Sequence, residues 1–199
     1  MNIKFILILG LMAFGIYFWY DGRPITHEGK GQIAKEQPKQ TPTKAKVILH
    51  GDDYLITPMA DFDITARVLS KERYWIDGGA KLVPVDLALG WGPMSDDKVL
   101  SELKISQRNR WFYWNYKNKL PVPRDQIEHN AANMHLIPAD DGIEKKIKGV
   151  KVGSLVHFKG HLVRVNRPDG WHWNSSMSRT DTGNGACEVI FVKEFDIIN

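Results

Sequence analysis

Apolar positions fall into three regimes along the chain. Phe5 to Tyr20 is sixteen residues without a charge, preceded by Lys4 and followed by Asp21-Gly22-Arg23-Pro24. A helix of that length rises about 24 Å, and Ile3 with the interfacial Trp19 and Tyr20 extends it toward the roughly 30 Å of a hydrocarbon core. Phe18, Trp19 and Tyr20 stand where a small-x-small cleavage site would be, so residues 1–20 are expected to be an uncleaved transmembrane helix, an anchor. Residues 21–46 carry Pro24, Pro38 and Pro42 among Lys, Gln and Thr, with almost no large apolar side chain. That composition predicts a flexible basic linker. Apolar patterning returns at Val47, and 47–199 is expected to be a single globular domain.

Within the domain, Phe62, Ile64, Ala66 and Val68 alternate with Asp61, Asp63, Thr65 and Arg67, the period of a half-buried strand. Tyr54–Thr57 and Arg73–Ile76 are further strand candidates, and Asp77-Gly78-Gly79 reads as a turn. Ser95 is placed to cap a short helix over Asp96–Leu103, with acidic residues in its first turn. Arg110 to Tyr116 is an aromatic strand ended by Pro121 and Pro123. Two more short helices are expected over Arg124–Asn130 and Ala139–Lys148, the latter with Ile143 and Ile147 as its apolar stripe. Val152 to Val165 reads as two strands about a Lys159-Gly160 turn, and Cys187 to Phe195 as a closing strand.

Short strands, two or three short helices and aromatic filling predict an α+β domain on a small, curved antiparallel β-sheet or barrel. The pattern of a Gly before the strand and a second Gly at Gly160 resembles the hairpins of OB-like and SH3-like barrels.

Charge changes the picture once it is located. The formal net charge is +4, but from Val47 onward 20 Lys and Arg face 20 Asp and Glu. The excess is confined to the N-terminal segment, so no nucleic acid is expected as a partner. One cysteine, Cys187, excludes an internal disulfide. No CxxC or HExxH spacing points to a metal, and no cofactor is implied. His157 and His161 flank the expected turn, which would place their rings on opposite faces.

Two groups of residues could carry chemistry. Trp171 and Trp173, two apart on a strand, share a face beside Asn174, Ser175 and Ser176, a combination that suits stacking and hydrogen bonding to a sugar or peptide. Asn133, His135 and Arg179 join Trp171, Trp173, Ser175 and Ser176 as expected ligand contacts, although His135 is equally readable as a strand residue facing water. The second group is catalytic: Cys187 as nucleophile, His172 as base, and Asn174 or Asp181 to orient the imidazole.

The segments Pro84–Asp96, Asn133–Ala139 and Ser175–Glu188 together resemble a family of uncharacterised bacterial membrane-anchored envelope proteins. The resemblance implies no activity, cofactor or partner. With the short positive N-terminus, which has the form of a bacterial export signal, it leads to the expectation of a single-pass inner-membrane protein with a periplasmic domain. That domain is expected to bind an envelope protein, peptide or glycan. The alternative is a Cys/His-dependent hydrolase or transferase acting on cell-wall or peptide substrates.

Overall fold

A computed structural model describes residues 3–51, 53–76, 78–181, 183 and 185–198, the side chains of 3, 4 and 17–21 excepted. The turn expected at Asp77 and the interfacial rings of Trp19 and Tyr20 therefore lie outside the described residues. In chain order the elements are α1 (Ile3–Asp21), β1 (Lys39–Thr41), β2 (Ile48–His50), β3 (Tyr54–Arg73) and β4 (Val85–Gly90). A 3-10 turn (Gly92–Ser95) leads to α2 (Asp97–Leu100), β5 (Leu103–Arg108), β6 (Trp111–Tyr116), α3 (Arg124–Glu128) and β7 (Ala131–Pro138). The chain ends with α4 (Asp141–Gly149), β8 (Leu155–Asn166), β9 (His172–Asn174) and β10 (Glu188–Ile197).

The architecture is mixed α+β, built on one eight-stranded sheet with a separate β5–β6 pair. Strand β3 is long enough to pair along one part with β8 and along another with β4, bending at register shifts near Pro58 and Val68. From β4 the pairing passes to β7, then β10, then β8, and so returns to β3. The β7–β10 pair is parallel, which departs from the expected all-antiparallel arrangement. Helix α4 is the crossover element between β7 and β8, capped by Asp140, whose Oδ1 accepts from Ile143 N at 2.9 Å. Its apolar stripe, Ile143 and Ile147, is buried in the main core.

The alternation in β3 sets that core. Phe62, Ile64, Ala66 and Val68 are buried with Leu87 and Leu89 of β4, Met134 and Leu136 of β7, Phe158 of β8 and Ile190 of β10. The opposite face carries two smaller clusters. One joins Ile137, Val163, Val189 and Phe191, with Trp171 and Trp173 packed on it. The other joins Leu69, Ala88, Met94 and Ile127, covered by Phe112 and Trp114 of the β5–β6 pair.

Three expectations are corrected. Val152–Val165 is not an OB-like or SH3-like hairpin: β8 is one continuous strand, and Gly160 sits in its middle. Gly160 is there because a Cβ would fall on the carbonyl oxygen of Phe191 in β10, where the partner strand is bulged between Val192 and Glu194. Helix formation after Trp91 is split, because Asp96 caps α2 while Ser95 is fully buried, its Oγ donating to Gly92 O at 2.7 Å.

The segment expected to be a free linker is the third. Ile25 N donates to Val152 O at 2.8 Å, His27 Nε2 lies 2.9 Å from Gly153 O, and Gly92 N donates to Ala34 O at 2.7 Å. Gln37 Oε1 accepts from the indole of buried Trp91 at 2.7 Å, and β1 pairs with β3. What holds 25–41 is backbone, amide and imidazole hydrogen bonding plus two buried side chains, His27 and Ala34, rather than large apolar residues. The side chains of Phe5–Ile16 on α1 are exposed. Among the described residues no helix is long and apolar enough to cross a membrane.

Candidate functional site

The outer faces of β4 and β7 are apolar except at Asp86, Asn133 and His135, which lie between the two smaller clusters. Register places Asp86 opposite His135 and Ala88 opposite Asn133, so all four side chains share one side of the sheet. Asp86 is fully buried, and its Oδ1 lies 2.9 Å from His135 Nδ1 and 3.3 Å from Arg110 Nη1.

Arg110 reaches this carboxylate from the β5–β6 turn. Asn109 and Arg110 have φ of 54° and 65°, the paired left-handed conformation of a two-residue type I′ turn. Asn tolerates that conformation and Arg does not, so the turn is held from outside. Arg110 N donates to Tyr74 Oη at 3.0 Å, Arg110 O accepts from Asn133 Nδ2 at 2.9 Å, and Nη2 donates to Val83 O at 3.2 Å. The guanidinium lies 3.9 Å from the Tyr74 ring centroid and 5.4 Å from that of Trp173, whose indole in turn is 4.5 Å from the His135 ring. Burial, then the charge of Asp86, push the Tyr74 phenol well above its ordinary value.

Residues after β9 close the site. Ser175 Oγ accepts from Val189 N at 3.1 Å, and Ser176 Oγ donates to Asp181 Oδ2 at 2.7 Å, so these hydroxyls fasten the loop to β10 and to itself. Arg179 Nε lies 3.0 Å from Glu188 Oε1, with Glu188 almost wholly buried. Burial raises the Glu188 carboxyl to about 7 against the opposing pull of Arg179.

Three hollows run along this face and share walls. One of about 170 Å³ is bounded by Trp111, Trp114, Arg179, Cys187 and Glu188. A second, about 320 Å³, has Trp111 and Cys187 in common with it and adds Arg110, His135 and Trp173. A third, about 620 Å³, has Arg110 and Trp173 in common with the second and adds Asn109, Arg167, Trp171 and His172. No family model, no curated protein and no solved structure matches this chain.

The expected ligand contacts are thus partly assembled. Asn133, His135 and Trp173 gather around Arg110 and its partner Asp86, Trp171 stands edge-on to Trp173 at 6.0 Å, and Arg179 lines the first hollow. Ser175 and Ser176 are buried in loop-fastening bonds instead. The expected catalytic set is dispersed. His172 is exposed and its Nδ1 sits 3.4 Å from Gly170 O in its own loop, while Asn174 Oδ1 accepts from Arg164 Nε at 2.9 Å. His135 is 2% exposed, which sets aside its alternative reading as a strand residue facing water. Cys187 lies among Glu188, Asp86 and Asp181, and burial followed by those charges pushes its thiol up to about 12. His157 and His161 pair with Asp63 and Asp61, at 2.9 and 2.8 Å.

Asp86, Arg110, Tyr74, Trp111 and Glu188 were not singled out in the sequence. Two of them carry a signal there: Asp86 and Glu188 are single charges inside apolar runs, Val85–Leu89 and Ala186–Val192. A lone charge in a buried strand needs a partner, which is a pointer to a polar site.

Proposed function

We propose that this chain is a membrane-seated glycan-binding domain, with the sugar lying along the outer face of β4 and β7. The observation that carries the reading is a set of three neighbouring hollows that share lining residues and include Trp111, Trp173 and Trp171, with Arg110, Asn109 and His172 beside the rings. Aromatic faces stack on the C–H side of a sugar ring, and planar polar groups next to them take its hydroxyls.

Connectivity supports the same face. Numbering only the strands of the closed pairing circuit, β3, β4, β7, β8 and β10, gives the order 1-2-3-5-4-1, with strands 3 and 5 parallel and a helix between 3 and 4. That is the plan of an OB-type barrel, a fold that binds oligomers across its strand 2–3 face between two flanking loops. Here that face is β4 and β7, and the loops are 74–84 and 167–187. A shared strand plan carries no function by itself, and the residues in the hollows give the likeness its chemical content. OB-type domains take oligosaccharides or oligonucleotides; the neutral balance of residues 47–199 favours the former.

Helix α1 supports the seating in a membrane. Its described side chains, Phe5–Ile16, are apolar and exposed, a surface suited to lipid contact rather than to a full span. An inner-membrane anchor with a periplasmic domain would bring the groove to envelope glycans. The hydrolase alternative gains nothing from this site, since a thiol pushed up to about 12 is a poor nucleophile at neutral pH and His172, the expected base, is exposed with its Nδ1 against its own loop.

The test is tryptophan fluorescence of the full chain in detergent micelles, titrated with envelope-type oligosaccharides, blocked peptides and single-stranded oligonucleotides. Saturable quenching by an oligosaccharide, lost in Trp173→Ala and weakened in Trp171→Ala, is expected. Silence toward every glycan, or a response to the oligonucleotide alone, sinks the reading.

A further inference from the structure

Strand directions define the two ends of the closed circuit. β3 and β4, β4 and β7, β10 and β8, and β8 and β3 are antiparallel, while β7 and β10 are parallel. β3, β7 and β10 therefore finish at the end where β4 and β8 begin. Helix α4 joins β7 to β8 at this end and covers the core there with Ile143 and Ile147. The chain arriving from α1 attaches at the same end, where Ile25 N donates to Val152 O just ahead of β8.

Four large apolar side chains at this end face out of the fold. Trp75 and Ile76, directly beyond β3, are 73% and 97% exposed. Ile197 and Ile198, at the end of β10, are exposed as well, and Ile198 N donates to Leu155 O at 2.7 Å at the start of β8. Lys71 Nζ donates to Lys148 O at 3.2 Å, which ties the last part of β3 to the last turn of α4. The Arg73 guanidinium lies 4.9 Å from the Trp75 ring centroid and steadies the indole from one side. Single exposed apolar residues are ordinary, but four at the end that receives α1 make a patch with a direction.

What covers the patch follows from what shares its end. Helix α1 presents uncovered apolar side chains from Phe5 to Ile16, and at most about 14 Å of chain separates its last residue from Ile25. A lipid bilayer is a phase that takes both. Tryptophan settles where its ring meets lipid on one side and water on the other, and a neighbouring arginine keeps its head in the water. Ion pairs stand around the same end, Lys146 with Asp196 at 3.1 Å and Lys148 with Glu144. Such charges are depleted at the centre of protein–protein interfaces, whereas a headgroup layer solvates them.

We propose that the end of the circuit closed by α4 lies against a lipid bilayer, with Trp75 and Ile76 seated among the headgroups and Ile197 and Ile198 beside them. Helix α1 is then one of two lipid contacts, and the domain is held by its base as well as by its chain. This inference rests on the membrane seating of α1 and is independent of the glycan reading.

The test is nitroxide accessibility of the full chain reconstituted in vesicles of phosphatidylethanolamine and phosphatidylglycerol. Single labels are attached in a Cys187→Ala background at Leu11→Cys on α1, at Ile76→Cys, and at Leu49→Cys. Leu49 is exposed on β2, which pairs with the beginning of β3 at the opposite end. The ratio of collision with oxygen to collision with a water-soluble nickel chelate is expected to be several-fold higher at positions 11 and 76 than at 49. Position 76 matching 49 while 11 lies in lipid overturns the docking face and leaves α1 seated. All three positions in water overturn the membrane seating and the docking face together. Position 76 shielded from both reagents overturns the proposal in favour of a protein contact, a second copy of the chain if the shielding fades on dilution. A label-free measurement covers the case in which the cysteine variants do not fold. Phospholipid with brominated acyl chains should quench a component of the tryptophan fluorescence that is missing in Trp75→Ala, and equal quenching of the two proteins overturns the proposal.

Discussion

Glu188 places a carboxyl where ionisation is expensive, and the consequence is a stability that depends on pH with a definite sign. Its folded-state value, about 7, lies above the ordinary 4.5, because burial outweighs the attraction of Arg179, and Asp181 adds to the rise. The folded chain therefore holds this proton where the unfolded chain releases it. The stability associated with the proton is complete below about 4.5 and is lost as pH rises through 7. Glu188→Gln removes the titration. Urea unfolding of both proteins between pH 5 and 8 should show the variant gaining on the parent as pH rises, by on the order of 3 kcal/mol in all. A difference that stays flat across that range contradicts the burial of an ionisable Glu188. Cys187 gives the companion prediction: with its thiol up near 12, alkylation of the native chain should stay slow through pH 8 and accelerate only on unfolding. Rapid native modification at pH 7 would return catalysis to consideration. Residue type alone marked Asn133, His135, Trp171 and Trp173, because amides, imidazoles and indoles are the usual material of a binding face. Arg110 escaped, because its place in the site is its meeting with Asp86 across 24 residues of sequence, and of the two only Asp86, a lone charge in an apolar run, carries a local mark.

Among the elements, β8 shows how one pattern supports two structures. A Lys-Gly step between apolar runs is a hairpin signal, and the same glycine is required where another backbone passes too close for a Cβ. Periodicity could not separate the two, since strands before and after a tight turn alternate just as one continuous strand does. Elements with a purely local cause were legible: the Phe62–Val68 alternation, the Ile143/Ile147 stripe of α4 and the aromatic run of β6 all stand where their spacing put them. Parallel pairing of β7 with β10 had no such cause, because it depends on the crossover through α4 and not on either strand's sequence. Gly160→Ala tests the role assigned to the glycine. A turn glycine without left-handed φ would tolerate alanine, whereas a Cβ pressed on Phe191 O must push β10 away, at a cost on the order of 3 kcal/mol. The melting temperature of the variant decides between them.

For the whole molecule, the segment after α1 determines how far the domain can stand from that helix. Composition argued for a free tether, but composition counts only what large apolar side chains can bury. The bonds that hold this segment run from its backbone and from Gln37 into polar groups that the domain would otherwise leave open. Trp91 Nε1 and the Asn130 amide both meet Gln37, Ser95 Oγ meets Ala34, Val152 O accepts from Ile25 N, and the His27 ring meets Gly153 O. Ile25 is bonded four residues after α1 ends, so the chain between them spans at most about 14 Å. A domain anchored through α1 would therefore ride close to the bilayer surface with a fixed set of faces toward it, instead of sampling the space around a long leash. Two shortened chains separate these pictures, one beginning at Gly22 and one at Val47. If 25–41 is part of the fold, the first keeps the denaturation midpoint of the full domain. The second leaves the Trp91 indole, Ser95 and Asn130 without the partners that 25–41 supplies, at about 1–3 kcal/mol for each group left unpaired, and unfolds at markedly lower urea. Equal midpoints would mean that the segment rests on the domain without supporting it, and the leash would be restored.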